Sequence, residues 1–430
     1  MGLRSAVGEQ PSTSKEQKKA IWAASIGNLL EWYDFGVYAF LATMIGANFF
    51  PSEDPTASLL ATFAAYGVGF LARPLGGMVI GRLGDVRGRK FSLVLTLSMM
   101  ALGTVGIGLL PTYEQVGILA PILLVVLRIL QGIAAGGEWG ASTAFIIEWA
   151  PRGRRGLFGS LQQVSTAGGT LLGSATAAIL VTVLGGEAMA DWAWRLPFIL
   201  GTVLLLVGVY IRRNVNETPS FEAIKEAPVA AASSESGPLL GLRAFGFTIY
   251  WTVAYYTLLS YMPTFTQRYG GLTQTEALWS NTIGLITMVC AVPLLGWASD
   301  YVGRKPVLLA SVICAIVFAY PLFDLAQQDI GFVGIVMIQI AFGLIIACYS
   351  GPGPAAISEI FPTHLRSTWM STGYTFATAV FGGFAPFMAT WLISVTGSPS
   401  SPTYFYMIPA AVISLLVVLR LPETAQSELR

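Results

Sequence analysis

Apolar residues along the chain gather into long stretches parted by short polar ones. A helix needs about 20 mostly apolar residues to cross a bilayer. Twelve stretches suit that role, near 21–48, 57–82, 91–110, 117–148, 157–184, 194–213, 243–266, 276–298, 306–326, 330–357, 366–395 and 403–421. Several exceed the hydrocarbon thickness and must tilt or protrude. Glycine and proline recur inside them, as membrane helices tolerate. The pattern predicts an all-α polytopic membrane protein. One long break, 214–242, holds ETPSFEAIKEAPVAAASSESGP and reads as a linker between two six-helix bundles, 21–213 and 243–421. Residues 1–20 are polar and read as a disordered cytoplasmic tail, and 422–430 form a second tail.

Charge sharpens this picture. Of 430 residues only 11% are charged, where a soluble domain carries roughly 25%. Lipid is therefore the expected partner for most of the surface. A net charge of +1 gives no electrostatic footprint for nucleic acid. With the N-terminus placed in the cytoplasm, the inner segments hold Arg82, Arg87, Arg89, Lys90, Arg152, Arg154, Arg155, Arg212, Arg213, Lys225, Arg304, Lys305 and Arg366. The outer loops hold Arg268 and otherwise mostly acids: Glu53, Asp54, Glu114, Glu187, Asp191 and Asp329. That positive-inside bias predicts a multi-pass protein of a bacterial inner membrane with both termini cytoplasmic. Cys290, Cys314 and Cys348 lie in apolar runs, and His364 is the single histidine, so no metal cluster and no cofactor are expected. The chain has no HExxH and no Walker motif, which argues against an enzyme. It is expected to be a monomer.

The two halves echo one another. Gly81-Arg-Leu-Gly-Asp85-Val-Arg-Gly88-Arg89-Lys90 returns as Gly296-Trp-Ala-Ser-Asp300-Tyr-Val-Gly303-Arg304-Lys305. Glu148-x-x-Pro151-x-x-x-Arg155 returns as Glu359-x-x-Pro362-x-x-x-Arg366. Such repeats predict pseudo-symmetric bundles with a site between them near the membrane midplane. Asp85, Arg89, Asp300 and Arg304 can cap helices or pair across the bundle, and Glu148, Arg155, Glu359 and Arg366 can latch the helix ends in one conformation.

Within the first span, Gly27, Glu31, Asp34 and Tyr38 share one helix face. In the fourth, Arg128, Gln131, Ala135 and Glu138 do the same. Buried charges in a membrane helix mark a functional path by default. Arg128 and Glu138 are about 15 Å apart along their axis, so each needs its own partner, and Asp34 suits Arg128. Arg73 interrupts the second span, and Gln162 lies on the fifth. The second half offers neutral groups instead, among them Tyr255, Tyr256 and Tyr349. Arg73, Arg128, Gln131, Tyr38, Gln162 and these tyrosines are the substrate-binding candidates. Trp22, Trp32 and Trp139 are read as packing or interface residues.

GNLLEWYDFGVYAF (27–40), FLARPLGGMVIGRLGDVRGRK (70–90), RILQGIAAGGEWG (128–140), WAWRLPF (192–198) and ETPSF (217–221) resemble the metabolite:proton symporter family of the major facilitator superfamily. The resemblance runs in order over roughly 21–424. It implies the major facilitator fold and proton-coupled uptake of a small metabolite, since members import citrate, oxoglutarate, shikimate, proline and betaine. It also implies that Asp34 and Arg128 couple protons, as a corresponding acid and arginine do in related sugar porters, with Glu31 and Glu138 as further carriers. TAVFGGFAPFMATWLISVTG (378–397) is similar to the citrate and oxoglutarate carriers, whereas YYTLLSYMP (255–263) is closer to osmolyte carriers. Osmosensing members carry a long C-terminal coiled coil, and this chain stops at Arg430. A di- or tricarboxylate is the expected substrate, with a zwitterionic osmolyte as the alternative.

Overall fold

The computed structural model of the chain describes residues 15–87, 89–136, 138–202, 206, 236–362, 365–427 and 429. Every element among them is helical. The first half opens with α1 (Lys15–Phe40, continued by Ala42–Phe49) and α2 (Pro55–Leu71, continued by Arg73–Arg87). Then follow α3 (Arg89–Leu109), α4 (Leu119–Ala135 and Glu138–Trp149), α5 (Arg155–Asp191) and α6 (196–202). The second half comprises α7 (Gly237–Tyr255, Tyr256–Ser260, Met262–Tyr269), α8 (Gln274–Val302) and α9 (Arg304–Leu325). It closes with α10 (Gly331–Ser350, Gly353–Glu359), α11 (Arg366–Met370, Ser371–Ala377, Thr378–Gly382, Ala385–Thr396) and α12 (Thr403–Met407, Ile408–Arg420).

Local chemistry explains several boundaries. Asp54 caps α2 by accepting from the Thr56 N–H at 2.8 Å, with Pro55 in the first turn. Thr273 and Glu276 form a reciprocal capping box at the start of α8. Gly185 takes a positive φ of 81°, which kinks α5 near its end. Helix α1 begins at Lys15, so 15–20 of the expected polar tail are helical, while 1–14 lie outside the described residues. Helix α7 begins at Gly237, inside the stretch read as linker, and 214–235 and His364 also lie outside the described residues.

Packing divides the helices by role. Helix α5 runs between α1 of its own half and α8 of the other, and α8 crosses α10 in turn. Helices α2 and α4 also meet α11 across the middle. Helices α3, α9 and α12 make their extensive contacts within their own halves. They leave large apolar side chains exposed, among them Leu102, Leu109, Ile313, Val317, Ile413 and Leu416. That belt is the surface expected to face lipid. Seven helices among the described residues are long and apolar enough to span a membrane, and two shorter apolar helices add to them. The chain is thus an all-α polytopic membrane protein with two pseudo-symmetric bundles, and its core is the seam between them.

Candidate transport site

The first half encloses four charged side chains, each no more than 5% exposed: Glu31, Asp34, Arg73 and Arg128. Helices α2 and α4 approach closely here, because a methyl group on Gly132 would overlap the Gly69 carbonyl. Asp34 from α1 lies between Thr104 of α3 and Gln131 of α4. It accepts a hydrogen bond from the Thr104 hydroxyl at 2.8 Å and from Gln131 Nε2 at 2.5 Å. Arg128 Nη1 stands at 3.6 Å from Asp34 Oδ2, outside normal hydrogen-bond distance. The expected pair therefore forms, but as a loose one. All three Arg128 side-chain nitrogens are without a hydrogen-bond partner among the described residues, and the guanidinium lies 3.8 Å from the centre of the Tyr38 ring. Tyr38 donates its hydroxyl to the Thr62 carbonyl.

Glu31 pairs with Arg73, 3.0 Å from its Nη2, a partnership that helix-face spacing did not foresee. The Arg73 guanidinium lies 4.3 Å from the Phe70 ring centre, 4.6 Å from that of Phe35 and 5.5 Å from that of Trp32. The Glu138 side chain lies outside the described set.

Trp32 links this cluster to a cavity on the seam. Five rings line that cavity: Trp32 of α1, Trp251, Tyr255 and Tyr256 of α7, and Tyr374 of α11. Gln163 and Thr166 of α5 and Thr252 of α7 complete it. The rings stand mostly edge to face, with Trp32 and Tyr255 at 72° and Trp251 and Tyr374 at 75°. Tyr374 stacks on Trp139 of α4 at 3.4 Å between centroids, closing one side with a ring from each half.

Of the expected substrate-binding residues, Tyr255 and Tyr256 reach this cavity. Arg128, Gln131 and Tyr38 do not line it. Arg73 stands behind Trp32. Gln162 turns to Asn28, and its neighbour Gln163 takes the lining position. Tyr349 packs beside Trp251 and donates to the Phe247 carbonyl at 2.7 Å. Trp32 and Trp251 were missed as lining residues because aromatic residues at helical spacing serve cores and cavities alike, while Trp139 packs against Tyr374 as expected.

At the basic end the seam is locked by ions. Arg366 Nη1 reaches Glu148 at 2.8 Å, and Arg155 Nη1 reaches Glu359 at 3.8 Å, so both pairs cross between halves. Arg304 joins Asp300 at 2.7 Å and Glu359 at 3.3 Å. Asp300 also accepts the Gly156 and Leu157 N–H groups at the start of α5. The side chains of Asp85 and Arg89 lie outside the described set. Glu423, beyond α12, adds a clamp that sequence reading missed. Burial alone would raise its carboxyl, but the N–H groups of Arg304, Lys305, Ala425 and Thr424 hold it below the usual carboxylate range. Thr424 then donates to Glu359 at 2.6 Å, and Arg155 donates to the Ser427 carbonyl.

Residues 20–236 match the family described as Sugar (and other) transporter, and residues 271–430 match the Major Facilitator Superfamily. The chain is 33% identical over 430 residues to the Proline/betaine transporter of Escherichia coli (strain K12), covering 96% of this chain and 85% of that one. It is 34% identical, with the same coverage, to a glycine betaine/proline/ectoine/pipecolic acid transporter of Dickeya dadantii. Its fold is similar to the solved partially occluded inward-open form of the Escherichia coli xylose transporter, with a TM-score of 0.77 at 18% identity, covering 97% of this chain and 100% of that one.

Proposed function

The chain belongs to the metabolite:proton symporter family of the major facilitator superfamily, and from that premise we propose that it imports a small zwitterionic osmolyte, such as proline or betaine, together with protons. The observation that carries this reading is charge balance around a ring-lined cavity. Glu31 offsets Arg73 and Asp34 offsets Arg128, and none of the cavity-lining side chains is ionised. A dianion or trianion would enter that setting uncompensated, at a cost of several kcal/mol per ion. A zwitterion adds no net charge. The relatives named for proline and betaine favour the same choice. The carboxylate expectation paired Arg128 with Asp34 but left Arg73 without an assigned acid, whereas Arg73 faces Glu31.

In this cycle the proton goes to Asp34. Its ionised form accepts from Thr104 and Gln131 and offsets Arg128. Protonation leaves Arg128 uncompensated in a low-dielectric interior, and that cost couples the proton to the conformational change. The loaded halves then rock about the seam, and the lock at the basic end, read as cytoplasmic, opens. Uptake of labelled betaine and proline into proteoliposomes under an imposed proton gradient tests the proposal, with citrate, oxoglutarate and succinate as competitors. The expected result is gradient-driven uptake that the carboxylates leave untouched. Strong inhibition by the carboxylates and none by excess unlabelled betaine or proline restores the organic-acid reading.

A further inference from the structure

Resting on the reading of Asp34 as the proton acceptor, we infer that Thr104 is a positioning residue for coupling: its single hydroxyl proton turns between Asp34 and the Met100 carbonyl, so that Asp34 takes up a proton on Oδ1 with its neighbours left in place. Thr104 Oγ1 lies 2.8 Å from Asp34 Oδ1 and 2.9 Å from the Met100 carbonyl, one turn back on α3. One proton thus has two acceptors within reach. Gln131 Nε2 donates to the same hydroxyl oxygen at 3.1 Å and to Asp34 Oδ2 at 2.5 Å. Asp34, Thr104 and Gln131 are all fully buried, so the same few partners must serve both charge states of the acid.

The hydrogen-bonding inventory closes in both states. A hydroxyl offers one donor and two acceptor positions. With Asp34 ionised, Thr104 donates to Oδ1 and accepts from Gln131. With a proton on Oδ1, the new O–H donates to Thr104, which still accepts from Gln131 and now donates to Met100. Gln131 keeps its bond to Oδ2 throughout. A proton on Oδ2 would instead face the Gln131 N–H, and the amide would have to turn over. The threonine is well seated for this exchange, since α6 leaves room at Gly201, where an added methyl group would come within 3.3 Å of the Thr104 methyl. The charged and titratable groups around Asp34 have partners of their own. Arg128 of α4 stands at 3.6 Å and lies over the Tyr38 ring. Tyr33 donates to the Pro197 carbonyl, and Glu31, one turn away, is paired with Arg73. Thr104 is therefore the group whose bonding changes when Asp34 changes charge.

The test is a pH titration of the reconstituted protein by infrared difference spectroscopy, following the carboxylic-acid C=O band that Asp34→Asn removes. Thr104→Val keeps the shape and loses the hydroxyl. It takes a donor from the ionised acid and an acceptor from the neutral one, and the bond to the charged form is roughly twice as strong. The midpoint of the band should therefore move to higher pH, by about half to one unit. Thr104→Ser, which keeps the hydroxyl, should hold the wild-type midpoint. Thr104→Cys, a weak donor of similar size, should fall between the two, so the series still decides if Thr104→Val does not reconstitute. The pH at which gradient-driven uptake of labelled proline is half lost should follow the same order. A midpoint unmoved in both Thr104→Val and Thr104→Cys, with uptake lowered alike at every pH, makes Thr104 merely structural and overturns the inference while Asp34 keeps its role. If no band in the wild-type protein depends on Asp34, the proton reading and the inference fall together. If the midpoints shift as expected but proline is not taken up, the inference stands and the zwitterion proposal falls.

Discussion

Asp34 is held by neutral donors more closely than by its cation. Gln131 and Thr104 stand at 2.5 and 2.8 Å, while Arg128 stands at 3.6 Å. A charge held this way can be neutralised without dismantling its surroundings, since both neighbours can rotate to accept as well as donate. Asp34→Asn should therefore fold, keep substrate exchange in part, and lose accumulation driven by a pH gradient. Comparing exchange with gradient-driven uptake in the same proteoliposomes checks this, and full accumulation by the mutant removes Asp34 from coupling. The Asp34–Arg128 contact was legible from helix spacing, because each residue sits on the polar face of its own span. The Glu31–Arg73 pair was not, since it depends on how α1 and α2 cross. Gln163 was missed by one position for a similar reason: spacing gives a face, but a lining residue is decided by the rotation of α5 against α1 and α8.

At the scale of elements, apolar length was enough to locate most of the membrane helices, because burial in lipid demands it. Their interruptions were not legible. Helix α7 widens to a π-helical turn at Tyr256–Ser260 and α11 does so at Thr378–Gly382, both next to the cavity. Nothing in apolar patterning marks an extra residue per turn. Close crossings are clearer once the structure is known. A side chain on Gly132 would strike the Gly69 carbonyl and the Ala72 methyl group, whereas one on Gly168 would meet only Leu29 at 3.7 Å. Gly132→Val should cost about 1–3 kcal/mol or more from overpacking and separate Arg128 from α2. Gly168→Ala should be near neutral. Thermal unfolding of both in detergent checks the contrast, and equal midpoints would mean that the α2–α4 crossing yields easily.

Across the whole molecule, the lock at the basic end joins the two halves and is proposed to open in the transport cycle. Its two crossing pairs are unequal. The Glu148 side chain is 41% exposed, so its loss should cost no more than about 1 kcal/mol. Arg366 is buried and also donates to the Ser358 and Phe361 carbonyls, both at 3.0 Å. Removing it leaves buried acceptors unsatisfied, at about 1–3 kcal/mol each. Thiol labelling of Leu157→Cys, placed under the lock, should accelerate about tenfold more in Arg366→Gln than in Glu148→Gln. Similar labelling rates in the two would mean that the pairs contribute alike.

The crossing pattern has one further consequence. Glu148 and Arg155 belong to one copy of the echoed motif, and Glu359 and Arg366 to the other. Each acid finds the base of the opposite copy rather than its own. That is the contact rule of an isologous dimer, in which residue i meets j while j meets i about a twofold axis. A single six-helix unit bearing this motif therefore carries a surface complementary to itself. Two identical units would close against each other with both ion pairs made, before any difference between them had arisen. The buried cluster of Glu31, Asp34, Arg73 and Arg128 lies in one half alone, and that asymmetry is what sets the present chain apart from a self-matching pair.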